Sequence, residues 1–226
     1  MARQMKDGKA EARGWRGSAD LWLAGAHALL AEAGVEAVKI GPLAARLGLS
    51  RTSFYWHFPD REALLAALVS RWRNTNTAAL LARVEAPAAS VTEAILNLFD
   101  AWVEPEVFDS AAEFAMRTWA LTDRAVDAAM IEEDTRRIKA LTAMFARYGY
   151  GPAEADARAR TVYLTQVGYI AMRTTEDFAP RMARIPEYAL TFTGRRPSEA
   201  EIAAFRARHA GSGQPGQKGD QPGALV

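Results

Sequence analysis

The chain has 226 residues and a formal net charge of +1, with half of its residues apolar and about a quarter charged, which is typical of a globular protein with a sizeable core. It contains no cysteine and only three histidines, which excludes disulfides, cysteine nucleophiles and cysteine-ligated metals, so we expect neither a metal site nor a cofactor. Alanine and leucine dominate and hairpin signals are nearly absent, so the sequence predicts an all-α fold. The near-neutral charge confines any nucleic-acid-binding surface to a local patch.

Residues 1–17 carry five basic and two acidic side chains and predict a basic flexible arm. Such an arm either contacts DNA, in the minor groove or at phosphates, or is a solvated terminus. The apolar run that follows has the layout of a secretory signal, but Asp20 and His27 interrupt it and a helical period continues past it. No segment reaches the ~20 apolar residues that span a bilayer, so we expect a cytoplasmic protein.

The first two predicted helices are marked by capping signals. Ser18 or Asp20 can cap a helix that ends at Gly34, where a left-handed residue is tolerated. A short second helix is predicted over residues 42–47, with Pro42 near its first turn.

A third helix follows after a tight turn. Gly48 tolerates a positive φ and Ser50 can cap a helix from Arg51 to about residue 57, which Pro59 ends. Asp60 then caps a fourth helix that can extend into the low eighties.

Five consecutive aromatic residues, Phe54 to Phe58 with His57 among them, cannot all face a core, because consecutive helical residues point about 100° apart. Two short helices joined by a glycine-containing turn and braced by a longer helix form a helix-turn-helix. In that motif the N-terminal residues of the second short helix face base edges in the major groove. We therefore expect Phe54 and Phe58 to face the core and the other three to face the DNA backbone.

The expected base contacts are a bidentate guanine contact from Arg51 and contacts from Thr52 and Ser53. Phosphate contacts are expected from Tyr55, Trp56 and the ring N–H of His57, with another from the next helix. The residues assigned to DNA are Lys39, Arg51, Thr52, Ser53, Tyr55, Trp56, His57 and Arg61.

Residues 22–65 resemble the DNA-binding domain of the tetracycline-repressor (TetR) family. The features that match are "WLxGAxxLL…G" in the first helix and then "LAxxLGLSRTSFYWHFPDREALL". The resemblance implies a homodimeric regulator that responds to a ligand, usually a repressor, with a C-terminal helical effector domain. It also implies backbone contacts from Tyr55 and His57, a cation at Arg61, and base reading by residues 51–53.

The sequence departs from the family pattern before the second helix. The family commonly has Ser or Thr as the helix cap that contacts a phosphate, followed by Arg, where this chain has Lys39 and Gly41 and then Pro42. We expect a weakened cap, with the charge of Lys39 as the replacement for the phosphate contact.

The remainder of the chain reads as helix after helix. The predicted domains are a basic arm over 1–17, a helix-turn-helix domain over 18–84, a ligand-binding and dimerisation domain over 85–210, and a disordered tail over 211–226.

Arg117 lies in an apolar helix and needs either an anionic ligand or a carboxylate partner, for which Glu113 one turn back is the simpler choice. Gln166 can orient a ligand or lie in a dimer seam. The residues assigned to a ligand pocket are Trp102, Phe114, Arg117, Trp119, Met144, Tyr163 and Gln166.

The resemblance places a dimer interface on two late helices, over 153–174 and within 185–209. The expected partners are a double-stranded DNA operator, an unknown small-molecule effector and a second copy of the chain. No nucleophile motif, phosphate loop or HExxH motif supports an enzyme. The alternative is a helical adaptor that binds protein, whose binding would be insensitive to salt.

Overall fold

The computed structural model of the chain describes residues 17–211, and every regular element within that range is helical. Apart from Gly17 and Gly211, the predicted basic arm and disordered tail lie outside the described residues. Contacts divide the chain into two compact units, Met1–Ser70 and Arg71–Val226. Within the described range, no helix has the length and apolar character needed to cross a membrane.

The helices of residues 17–211 follow the chain with short connections. They are α1 (Ala19–Ala33), α2 (Ile40–Leu47), α3 (Arg51–Phe54), α4 (Arg61–Trp72), α5 (Ala78–Glu85), α6 (Val91–Val103), α7 (Ser110–Ala120), α8 (Arg124–Arg147), α9 (Pro152–Ala171), α10 (Phe178–Thr193) and α11 (Glu199–Arg208). A 3₁₀ turn, Val35–Ala37, precedes α2, and a π-helical turn, Arg73–Thr77, joins α4 to α5.

The first two helices begin and end close to the predicted positions. The hydroxyl of Ser18 accepts a hydrogen bond from the N–H of Leu21 at 3.1 Å and so caps α1. Gly34, with φ of +77°, ends it. Helix α2 begins two residues before the predicted start, so Pro42 is its third residue. This position is tolerated because the first four N–H groups of a helix have no intrahelical acceptor.

Helix α3 is a single turn and ends at Phe54, three residues before the predicted end. The next three residues form a turn in which the N–H of His57 donates to the carbonyl of Phe54 at 2.9 Å. One turn cannot hold its own conformation in water. The side chain of Phe54, which is completely buried against Trp22, therefore fixes the orientation of α3.

Helix α4 starts as predicted, because Asp60 Oδ1 accepts a hydrogen bond from the N–H of Ala63 at 2.7 Å. The helical path then continues through the π turn and ends at Glu85. The predicted first domain extends to residue 84, whereas the contacts group residues 71–84 with the second unit. The reason is that Trp72 and Leu80 are buried there.

The second unit is built around α6, of which eleven residues are buried. Helix α10 covers residues 178–193, a stretch that the sequence did not assign because of its two prolines; Pro186 lies inside the helix. Helix α11 carries the predicted capping box: Glu201 donates its N–H to the Ser198 hydroxyl and accepts the Ser198 N–H.

Candidate nucleic-acid interface and ligand region

The turn between α2 and α3 is held by its own side chains. Gly48 adopts the left-handed conformation at the end of α2, with φ of +67°. The Ser50 hydroxyl accepts the N–H of Ser53 at 3.2 Å, and the Ser53 hydroxyl donates to the Ser50 carbonyl at 2.7 Å. Ser53 is buried, so its hydroxyl braces the turn. Its assignment as a base reader remains a prediction that this geometry does not favour.

The run of aromatic residues divides between the core and the surface. Phe54 is buried with its ring 5.6 Å from that of the half-buried Phe58. Tyr55 and Trp56 are 58% and 63% exposed. The two aromatics that we expected to cover the core do so, and two of the three assigned to DNA are open to solvent on the same short segment.

His57 is half-buried, and its Nε2 has no hydrogen-bond partner among residues 17–211. Because Nε2 is itself inaccessible, a phosphate contact from this residue requires Nδ1 or a rotated ring. Arg51 and Thr52, on the first turn of α3, are exposed. The side chains at these two positions are therefore accessible to base edges, as base reading requires.

Arg61 has a structural role that the sequence did not suggest. Its Nε donates to the Val38 carbonyl at 2.7 Å, and its Nη2 donates to the Val35 carbonyl at 3.0 Å. These bonds tie the start of α4 to the segment that precedes α2. The predicted phosphate contact is left to Nη1 and to the second N–H of Nη2.

Lys39 is the residue that precedes α2, and it is exposed. Its side chain makes no capping hydrogen bond, in agreement with the weak cap expected from the sequence. Nearby, Arg46 of α2 forms a bidentate ion pair with Glu32 of α1, with distances of 2.5 and 2.6 Å. Exposed pairs of this kind contribute at most about 1 kcal/mol, so this pair mainly orients Arg46.

Two of the residues assigned to a ligand pocket, Arg117 and Tyr163, are part of a buried polar cluster in the second unit. Glu113 is completely buried and accepts hydrogen bonds from Arg137 Nη1 at 2.7 Å and Arg117 Nη2 at 2.9 Å. Trp72 Nε1 and Asn76 Nδ2 donate to its other oxygen at 2.6 and 3.1 Å. The predicted pairing of Arg117 with Glu113 is present.

Tyr163 and Asp134 complete this polar cluster. The Tyr163 hydroxyl donates to Asp134 Oδ1 at 2.6 Å and accepts from Arg117 Nη2 at 2.9 Å. Arg117 also binds both oxygens of Asp134, at 2.8 and 3.0 Å. Two carboxylates and two guanidinium groups therefore balance in charge, which is what burial of ions requires.

Arg137 was missed by the sequence analysis. It is completely buried, and it lies on the same face of α8 as Met130, Leu141 and Met144. A charged residue at the apolar spacing of a helix is the signal that could have identified it.

The electrostatics of the cluster follow from burial and pairing. Burial alone would raise the pKa of Glu113, but the charges of Arg137 and Arg117 outweigh it and lower the pKa to about 2. Burial raises the pKa of the Tyr163 hydroxyl well above its ordinary range. Glu113 is thus held ionised and Tyr163 protonated.

A groove of about 520 Å³ lies between α8 and α9. Its lining includes small and apolar side chains, among them Ile138, Ala143 and Ala155, together with the charged Lys139, Asp156 and Arg160. None of the seven residues assigned to a ligand pocket lines this groove. The structure gives most of them packing or ion-pair contacts: Trp102, Trp119, Met144, Tyr163 and Gln166 are buried and Arg117 is paired. Their role in ligand binding remains a prediction.

The geometry of the first unit defines its structural class. A tight turn holds a short helix with an exposed first turn against two bracing helices, which is the arrangement of a helix-turn-helix. Residues 23–68 match the family model described as "bacterial regulatory proteins, tetR family". The match covers the helix-turn-helix of the first unit, so this segment is similar to the DNA-binding part of that family.

Two solved structures share the fold over most of the chain. A transcriptional regulator from Rhodococcus sp. Rha1 is 19% identical, with a TM-score of 0.53 over 85% of this chain and 97% of that one. A protein from Pseudomonas aeruginosa PAO1, also described as a transcriptional regulator, is 14% identical, with a TM-score of 0.51 over 85% of this chain and 88% of that one. A comparison with curated proteins finds no match.

We predict that Glu113→Gln destabilises the second unit by about 3–5 kcal/mol, because it leaves buried guanidinium charges without compensation. In the unaltered chain the lowered pKa of Glu113 contributes stability above pH 4.5 that is lost as the pH falls towards 2. Urea unfolding between pH 6 and pH 2.5 measures both effects, and the fall in stability over this range should be smaller in the variant.

Glu154→Gln is the matched control, because Glu154 forms an exposed ion pair with Arg158 at 2.8 Å. It should change the free energy of unfolding by at most about 1 kcal/mol. Equal effects of the two substitutions would contradict the assignment of Glu113 as the centre of the cluster.

Proposed function

We propose that the chain is a homodimeric transcriptional repressor that binds a near-palindromic operator through α3 and releases it when a small-molecule effector binds. The observation that carries the proposal is the exposed surface of α3 and the turn after it. Arg51, Thr52, Tyr55 and Trp56 are open there, while Phe54 anchors the same turn in the core.

Base reading is assigned to Arg51 and Thr52. An arginine can form a bidentate contact with the O6 and N7 of guanine, and a threonine offers a methyl group to thymine or a hydroxyl group to other base edges. Tyr55, Trp56 and His57 are assigned to phosphates, with Lys39 beside the start of α2. Such contacts fix the position of the protein on DNA without specifying sequence.

The charge of the first unit makes these contacts local. Residues 17–70 contain four basic and five acidic side chains, whereas residues 1–16 contain five basic and two acidic ones. General attraction to DNA would therefore come from the basic arm rather than from the helical unit. This distribution favours the assignment of the arm to phosphate or minor-groove contacts.

A dimer surface is proposed on α9 and α10. Along one side of α9 the exposed residues are small or apolar, including Leu164 at 57% exposure and, at its end, Met172 at 80%. Gly168 is on this side, and a Cβ added there would meet nothing within 4 Å. A glycine inside a helix costs about 1 kcal/mol relative to alanine, so we infer that close approach of a partner helix is its reason.

Pairing of two copies about a twofold axis would place two copies of α3 about one helical turn of DNA apart, roughly 34–36 Å. Conformations of the dimer can differ in the distance between the two copies of α3. An effector that binds better to a conformation with a different distance would then shift the population away from the DNA-binding state. The effector site is proposed in the groove between α8 and α9, since about 520 Å³ lies within the range of small-molecule sites.

Selection from random duplex DNA with the purified full chain should yield a near-palindromic sequence. Its binding should weaken steeply with salt, because the protein displaces counterions from phosphates. Thr52→Val should change the base preference at one position of each half-site. Tyr55→Phe should weaken binding several-fold without changing the preferred sequence.

The alternative, an adaptor that binds protein through the same helices, predicts the opposite outcome. Absence of an enriched sequence, or binding unaffected by salt, would reject DNA reading and favour the adaptor.

Gly168→Trp should convert a dimer into a monomer, because the indole would occupy the space where the partner helix approaches. Sedimentation equilibrium should give twice the mass of the chain for the unaltered protein and one chain mass for the variant. Ala128→Trp is the control, since Ala128 is exposed on α8 and away from this side of α9. If the Gly168→Trp variant remains a dimer, the assignment of α9 to the interface is wrong.

Ala143→Trp should fill the groove and abolish binding of anilinonaphthalene sulfonate, an apolar anion suited to the small side chains and to Lys139. Fluorescence titration measures the affinity, and Ala128→Trp should leave it unchanged. Equal dye binding by both variants would place the effector site elsewhere.

A further inference from the structure

Residues 17–70 contain three arginines, and their side chains have different surroundings. Arg46 is paired with Glu32, and Arg61 is bound to two backbone carbonyls. Arg51 is exposed and has no hydrogen bond or ion pair among residues 17–211. Of these three guanidinium groups, that of Arg51 is the one whose N–H donors are not used by any of residues 17–211.

The Arg51 guanidinium group lies in the space beside Gly41 that a side chain at position 41 would occupy. A Cβ built on Gly41 would lie 2.6 Å from Arg51 Nη2 and 3.2 Å from both Cζ and Nε. The first distance is shorter than any real carbon contact, so no residue with a side chain is compatible with this conformation of Arg51. The guanidinium plane lies against the first turn of α2, in the space that a side chain at position 41 would fill.

The conformation of the Gly41 backbone does not require glycine. Its φ is not in the left-handed region, and it lies inside α2, where alanine is favoured over glycine by about 1 kcal/mol. The absence of a side chain therefore has no local advantage for the helix. The group that benefits is the Arg51 side chain, ten residues further along the chain.

We propose that Gly41 is a specificity-determining residue that acts through Arg51. Because Gly41 has no side chain, the guanidinium group can occupy the junction of α2 and α3. This position determines which base edge the group reaches. Bidentate base contacts depend on such placement because the guanidinium is a planar, rigid fork. The proposal rests on the proposed function, since it requires that Arg51 contacts operator DNA.

A double-mutant cycle tests the proposal. The full-length unaltered chain, Gly41→Ala, Arg51→Ala and the double variant are each titrated with the selected operator and with operators changed at single base pairs. Gly41→Ala should lower operator affinity about tenfold, equivalent to about 1.4 kcal/mol, and should relax the preference at one base pair of each half-site. In the Arg51→Ala background the same substitution should change affinity by less than about twofold.

Thermal unfolding separates this role from a structural one. Gly41→Ala should leave the midpoint unchanged or raise it, because the clash involves only the mobile end of an arginine. Gly151→Ala is the matched control, since a Cβ there meets nothing within 4 Å, and it should leave both affinity and base preference unchanged.

The outcomes distinguish the two proposals. If the unaltered chain selects no DNA sequence, the proposed function fails. If it selects an operator but Gly41→Ala keeps the same affinity and preference, the role of Gly41 is overturned while the function stands. Loss of affinity with an unchanged base preference, or an equal loss in the Arg51→Ala background, would also overturn it.

Discussion

The burial of Phe54 is the interaction on which the proposed DNA-reading surface depends. Helix α3 has a single turn, and the free energy of a single turn in water is unfavourable. Phe54 meets the Trp22 ring at 5.3 Å with the two planes nearly perpendicular, an arrangement favoured by aromatic pairs. Because Phe54 is fixed, the side chains of Thr52, Tyr55 and Trp56 are directed outward. The run of aromatic residues therefore contains both the buried side chain that anchors α3 and the exposed side chains whose orientation this anchor sets.

The second unit depends on a different constraint, which is the neutralisation of buried charge. Glu113 and Arg137 are completely buried, and each is stable only in the presence of the other. The pair joins α7 to α8, and Trp72 and Asn76 connect the same carboxylate to the residues around the π turn. Polar groups buried in this way specify one packing arrangement rather than many. The π turn is held by these polar contacts, since its own widened backbone offers no advantage.

Local signals in the sequence predicted the helices well, and contacts between distant residues were not predicted. Ser18, Ser50 and Ser198 cap the helices that they were expected to cap, because a cap depends on residues within one turn. The interior Pro186 concealed α10, since the penalty for proline in a helix is outweighed here by the packing of Ile185 and Phe192 in the core. The carbonyl partners of Arg61 lie more than twenty residues away, at a separation where no spacing rule applies.

The residues proposed to read DNA illustrate the same division. The sequence assigned roles by position in the helix-turn-helix motif, and this separates the buried Phe54 from the exposed Tyr55 and Trp56. It could not show that Ser53 is used within the turn, or that the bare surface of Gly41 is filled by Arg51, because both depend on the side-chain conformation after folding. Residues 17–70 contain more acidic than basic side chains, so we expect the position of each unpaired cation among them to affect recognition. The Arg51 guanidinium is such a cation, and a methyl group at Gly41 would displace it from its present position.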